Sequence, residues 1–441
     1  MSIVFASLNH AQRVPLAAEI HSRPFLKLEA PSLVSHLAVY GDPAPHASNA
    51  EAQHARLAAL CGHFGVSAPA PDTNYFTHDF GRFRLKWELH TEFATFTFAE
   101  QVQKMPLPEE AFDAMPTRHL PQDWLLALQG RVLVASHVVL ARASAAPEAF
   151  AASLQRVFEG AAMAGSQVMQ GGELWTDFAI HSDGFSRFVI CDVGMRQQQA
   201  GRLIQRVLEI ETYRMMALLG LPAAQQATPE LNSVESELAA LAGALVDADG
   251  RVDDGTIEQM LLDQITHLAA RIEKLSLDTS YRFAASKAYF GLVNARIEEL
   301  RELRIEGTPT VEEFMERRLA PAMKTCEAVA ARQEALARRI ANSNDLLRTR
   351  VGIVQEAHNR RILQSMNQRA LQQLRLQQAV EGLSVAAISY YVVGLIGYAA
   401  KGAKVVGLVG NPELVMGVLV PVVAACVWLG LRNMHKKLHS A

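Results

Sequence analysis

Lys86, Glu88, His90 and Glu92 alternate along the chain with Leu85, Trp87, Leu89 and Phe93. In a β-strand successive side chains point to opposite faces, so this spacing gathers an ammonium, an imidazole and two carboxylates on one side. An imidazole with two carboxylates is a donor set that a metal ion accepts. The same alternation also describes a half-buried antiparallel strand whose charges face water, and that plainer reading is the one the spacing favours.

Few other residues offer chemistry. His21-Ser22-Arg23-Pro24-Phe25 places a guanidinium before the first strand, where Arg23 could bind a carboxylate or phosphate, or serve in a structural salt bridge with Phe25 in the core. The candidate polar cluster is therefore Arg23, Glu88, His90 and Glu92. Asp177, His181, Asp183 and Arg187 lie on a hairpin, where turn formation and solvation account for them. The sequence holds no phosphate-binding glycine loop, no GxSxG and no HExxH, and Gly171-Gly172 precedes a strand instead of opening a helix. No catalytic residue, cofactor or resident metal is expected, and the chain does not read as an enzyme. Cys61, Cys191, Cys326 and Cys426 are scattered, with no CxxC pair, which suits a reducing compartment. A net charge of −3 gives no basis for a nucleic-acid partner.

The elements that would position the polar cluster form an α+β domain over 1–197, built on a mostly antiparallel sheet. Ser35–Tyr40 predicts a strand, and Ala50–His63 a helix capped by Asn49. The region Phe83–Phe98 carries the clearest alternation. Arg131–Leu140 predicts a strand, and Glu148–Glu159 a short helix. Glu173–His181 and Phe185–Asp192 form a hairpin about Ser182-Asp183-Gly184. Gln197–Leu219 predicts the helix that leads into a helical region over 198–381. There Asp253–Arg304 and Thr310–Glu381 are long helices separated by Gly307-Thr308-Pro309, with Thr310 and Glu313 spaced as a capping box. Helices of such length need a partner, so an antiparallel pair is expected.

Two uncharged runs of 18 residues follow, Leu383–Ala400 and Leu414–Leu431. At about 1.5 Å per residue each is close to the thickness of a bilayer core. A two-span transmembrane hairpin is expected over 382–432, with a basic tail over 433–441. Arg369, Arg375, Arg432, Lys436 and Lys437 flank the hairpin outside, against Lys401 and Lys404 in its loop. That asymmetry places both termini in the cytoplasm, in an inner (plasma) membrane. Ser384, Ala387, Tyr391, Gly394 and Tyr398 share one face of the first span, suited to helix packing between copies or to a pore lining. Expected partners are thus the bilayer, further copies of the chain and, for a pore, a cation. Asn411 and Glu413 mark a candidate loop site between the spans.

The segment His21–Phe25, the strand Lys86–Phe93 and the run Arg375–Ser384 together resemble an uncharacterised bacterial family of membrane-anchored proteins, a domain of unknown function, over essentially the whole chain. The resemblance implies anchoring and no established activity. The architecture is also similar to the CorA-type divalent-cation channels, in which a long helix runs into the first of two C-terminal spans. Those channels carry Gly-Met-Asn at the end of the first span, and this chain does not. The expected functions are an oligomeric cation channel of CorA-like build, a membrane-tethered scaffold or sensor, or a membrane-bound enzyme.

Overall fold

The structure, a computed structural model, describes residues 8–14, 16–17, 24–41, 49–104, 107–143, 147–196, 198–247, 256–405 and 412–438. Arg23 and Asn411 lie outside the described residues. The chain divides into two compact units. One comprises 1–242 with 265–342, and the other 243–264 with 343–441.

The first unit is built on a nine-stranded sheet in the order β2-β3-β4-β1-β5-β8-β7-β6-β9. Its strands are β1 (Ser32–Tyr40), β2 (Tyr75–Asp79), β3 (Arg84–Leu89), β4 (Phe93–Gln101), β5 (Val132–Arg142), β6 (Ala164–Val168), β7 (Gly172–Ile180), β8 (Ser186–Asp192) and β9 (Leu303–Arg304). The sheet is mixed. β5 and β8 run parallel, and the other neighbouring pairs are antiparallel. The alternating region 83–98 is two strands joined by a tight turn, in which His90 N–H donates to the Phe93 carbonyl at 2.8 Å.

Short helices cover one face of the sheet: α1 (Asn49–His63), α2 (Pro108–Ala111), α3 (Gln122–Leu126) and α4 (Pro147–Val157). Leu85, Trp87, Phe96, Phe98, Leu57 and Leu60 form the apolar core there. At roughly 25 cal/mol per Å² of apolar surface removed from water, this side supplies the main drive to fold. The helix α5 (Gln199–Leu218) covers the opposite face, where Met216 packs on Ala38, Phe93 and Val134. The polar side of β3 is therefore not solvated, as the alternation alone suggested. Lys86, Thr95, Thr97 and His36 are all buried on it.

Three longer helices complete this unit: α6 (Gly220–Asp247), α7 (Thr256–Leu300) and, after α8 (Val311–Arg318), the start of α9 (Ala320–Val405). Thr310 caps α8 in a full capping box with Glu313, as its spacing predicts. Thr279 on α7 meets Gln333 on α9, and a Cβ at Gly220 would touch both Ser286 and Cys326. Those pairings run α7 antiparallel to α9 with α6 alongside. Arg332 reaches Glu235, and Arg271 reaches Glu230 and Glu237, so arginine forks tie the polar rims.

In the second unit α9 continues to Val405 and α10 spans Pro412–Leu438. The helical stretch Val311–Gly402 contains one segment long and apolar enough to cross a membrane, and Met416–Gly430 is a shorter apolar helix. A Cβ at Gly397 would lie 2.5 Å from the Met416 sulfur, so glycine permits the close approach of α9 and α10 at that level.

Candidate functional site

A cavity of about 280 Å³ lies between the sheet and α5. Strand alternation and helix periodicity build it together. From β3, Lys86, Glu88 and then His90 project to one side, and Thr95 and Thr97 of β4 join them. The register pairs Thr97 with Lys86 on β3 and with His36 on β1. It pairs Thr95 with Glu88 and Ala38. From α5 come Gly201, Ile204, Gln205, Leu208, Glu209, Thr212 and Tyr213. Their spacing of three and four residues is that of one helical face, here mixed in polarity.

At one end the segment carrying Leu26 and Leu28 lies across α5. A Cβ at position 201 would collide with the Leu26 carbonyl oxygen, so glycine is what lets the segment pass this close. Arg296 of α7 also lines the cavity.

Ion pairs and hydrogen bonds run along the lining. Lys86 Nζ is 3.0 Å from Glu88 Oε2 and donates to Gln205 Oε1 at 3.3 Å. Gln205 Nε2 donates to Glu209 Oε1 at 2.7 Å. Glu209 accepts from Arg296, which also donates to Glu299 at 2.8 Å. A buried ammonium is tolerated only with such partners, because desolvation costs several kcal/mol per ion, an order-of-magnitude figure. Lys86 is 4% exposed and Glu88 13%, whereas Glu209 and Arg296 are 21% and 29% exposed. The charges thus run from the floor of the cavity to its rim.

His36 sits at the floor between two hydroxyls, Thr97 Oγ1 at 2.8 Å and Thr212 Oγ1 at 3.1 Å. Burial, with Lys86 and His90 nearby, pushes its pKa down to about 3. It is a neutral imidazole, one nitrogen donating and the other accepting, and the two threonines suit either tautomer. Thr95 is different. It is buried, and its hydroxyl has no hydrogen-bond partner. Its neighbour on β1, Ala38, offers nothing to bond, and its neighbour on β3, Glu88, engages Lys86 instead.

The sequence-derived cluster is therefore divided. Glu88 and His90 line the cavity, with His90 stacked on Phe93 at 4.4 Å between ring centroids. Glu92 turns away into a second cluster. It pairs with Arg282 of α7 at 2.5 Å and accepts from Tyr40 Oη at 3.5 Å. Burial first, and then the Glu92 charge, raises the pKa of Tyr289 beside it.

No group of three or more metal-ligating side chains occurs among the described residues. The ammonium of Lys86 neutralises Glu88 instead. On the hairpin, Asp177 pairs with His181 at 3.1 Å and Asp183 with Arg187 at 3.0 Å, so these groups satisfy one another. Glu413 lies in the first turn of α10 and is exposed.

Sequence reasoning missed Gln205, Glu209, Thr212 and Arg296. A helix whose inward face is half polar carries no clean apolar stripe, and the available signal was the recurrence of Gln205, Glu209 and Thr212 at helical spacing.

In the second unit, Ala387, Tyr391, Gly394 and Tyr398 are exposed and Ser384 is half-buried. The intrachain contact with α10 is made elsewhere, at Gly397.

A family model described as "Protein of unknown function (DUF3422)" matches residues 8–438. The chain belongs to this family. No curated protein matches it. One solved structure, described as "structure of the full-length CmaX protein", is 14% identical, covering 68% of this chain and 89% of that one, with a TM-score of 0.16. At that score the likeness carries no argument. The resemblance to an uncharacterised family is thus shown, while the CorA-type likeness finds no support in these comparisons.

Proposed function

We propose that this family member is a membrane-tethered sensor whose α/β domain binds a small polar molecule in the cavity between the sheet and α5. The single observation that carries the reading is a cavity under a buried sheet face whose lining runs from the Lys86–Glu88 pair at its floor to the Glu209–Arg296 pair at its rim. Burying an ammonium costs several kcal/mol, an order-of-magnitude figure, and a ligand that accepted the remaining Lys86 N–H would offset part of it. The volume sits at the lower edge of small-molecule sites, which run from about 300 to 1,000 Å³. Tethering would be supplied by the apolar segments 383–400 and 414–431 as a two-span hairpin. Both termini would lie in the cytoplasm of a bacterial inner membrane. The apolar stretch ending α9 and the close approach at Gly397 support that arrangement.

Native mass spectrometry of the full chain in detergent tests the ligand. A panel of small polar metabolites is expected to leave at least one adduct on the wild type. Thr95→Leu, which fills the cavity, is expected to lose it. Absence of any adduct on the wild type overturns the reading.

A homo-oligomeric, cation-conducting assembly is a second reading. The face Ala387, Tyr391, Gly394 and Tyr398 is uncovered within the chain and free to meet other copies. Tyrosine hydroxyls at mid-span are disfavoured against lipid, which supports this placement. Gly394→Leu is expected to weaken assembly, read as oligomer mass in detergent, and to reduce ion flux in liposomes. Unchanged assembly and flux would remove this reading.

A further inference from the structure

We infer that the cavity is shaped for a zwitterion of amino-acid size bearing an apolar side chain; this deepens the sensor reading and rests on it. The argument begins with charge. The ionised groups of the lining are Lys86 and Arg296 against Glu88 and Glu209. The balance is two cations to two carboxylates. A nucleotide or other polyanion would need a surplus of cations, and a metal ion would need a cluster of ligands. A ligand carrying one charge of each sign leaves the balance intact.

Unused bonding capacity lies at both signs. Among the described residues Arg296 donates through Nε to Glu209 and through Nη1 to Glu299, which leaves Nη2 unused. Lys86 Nζ has two partners, Glu88 and Gln205, for three N–H groups. These are donors for a carboxylate. On the acceptor side Glu88 engages Lys86 through Oε2, leaving Oε1. Thr95 is next to Glu88 in the register and lines the cavity beside it. The free Glu88 oxygen suits an ammonium. Part of the remaining wall is apolar, through Leu26, Leu28, Ile204 and Leu208. It supplies a place for an aliphatic side chain and stabilises the complex by burying it. A small neutral polyol would leave that apolar wall uncovered.

The test is calorimetric titration of the full-length protein in detergent with L-leucine, N-acetyl-L-leucine and L-leucine amide, alongside the metabolite panel. L-leucine is expected to bind. Blocking either its amine or its carboxylate is expected to weaken binding at least about tenfold, the loss of one charge-assisted contact.

The variants should separate the two ends. Glu88→Gln is expected to weaken L-leucine while changing N-acetyl-L-leucine little. Arg296→Gln is expected to weaken L-leucine while changing L-leucine amide little. Circular dichroism establishes that each variant is folded. N-acetyl-L-leucine binding as tightly as L-leucine overturns the inference. So does binding confined to other compounds of the panel, although the sensor reading then stands. If no compound binds at all, both fall.

Discussion

The two faces of the sheet are buried by helices, and they are filled in opposite ways. On the side of α1 and α4, Trp87, Phe96, Phe98 and Leu60 form a close-packed apolar cluster, although the Trp87 Nε1 within it has no hydrogen-bond partner. On the side of α5, Lys86, His36, Thr95 and Thr97 are equally buried, yet they surround a cavity. The strands are the same strands, and Trp87 is flanked in sequence by Lys86 and Glu88. The first face follows mainly from the hydrophobic effect, with the buried Ser35–His137 pair as a polar inclusion. The second costs the protein a buried ammonium, its partners and an unpaired hydroxyl. A sheet face built at that cost points to a site, because apolar residues would have closed it with less penalty.

The faces should respond differently to substitution. Trp87→Ala removes a fully buried ring from the close-packed side and is expected to cost about 3–5 kcal/mol, measured by denaturant unfolding. A loss below about 1 kcal/mol would mean that this side is not the main core. On the polar side the expected effects depend on which partner is removed. Glu88→Ala leaves Lys86 buried with Gln205 alone and is expected to cost on the order of 3 kcal/mol. Lys86→Met is expected to cost less, because Glu88 is nearer the rim and can be hydrated. Equal losses would show that the pair is not organised by depth.

Acid acts on both faces and so sharpens the comparison. His36 lies on the polar side. His137 lies on the other, stacked on Phe185 at 3.8 Å and bonded to Ser35 at 3.0 Å. Burial pushes both pKa values down to about 3. The unfolded chain therefore takes up protons near pH 6.5 while the folded chain does not. Stability is fully present above about pH 6.5 and falls as pH drops toward about 3, approaching roughly 1.4 kcal/mol per pH unit for each histidine. Unfolding curves from pH 7 to 4.5 check this, and His36→Gln should flatten the slope by about half. The smallest effect is expected at Thr95. Thr95→Val removes an unbonded hydroxyl and should leave the empty protein as stable or about 1 kcal/mol more so. A loss comparable to that of Trp87→Ala would mean that the hydroxyl is structural.

Much of the frame was legible in the sequence. The alternation from Leu85 to Leu89, the helix after Asn49, the capping box of Thr310 and Glu313, and the turn at Asp183-Gly184 are local signals, and the structure carries each of them. What covers the polar side of β3 was not legible. Lys86 meets Gln205 across 119 residues of sequence, and Glu209 meets Arg296 across 87. Neither pairing leaves a local pattern. The parallel contact of β5 with β8 and the short edge strand β9, drawn from between two helices, are likewise long-range choices. Glu92 was grouped with Glu88 and His90 by spacing. The turn after Leu89 breaks that alternation and sends Glu92 toward Arg282.

The most direct test of the central claim is the unfolding temperature of the intact protein in detergent, with and without the metabolite panel, in the wild type and in Thr95→Leu. The account predicts that at least one small polar compound raises the wild-type value and leaves that of Thr95→Leu unchanged. No rise with any compound, or an equal rise in both proteins, would contradict it.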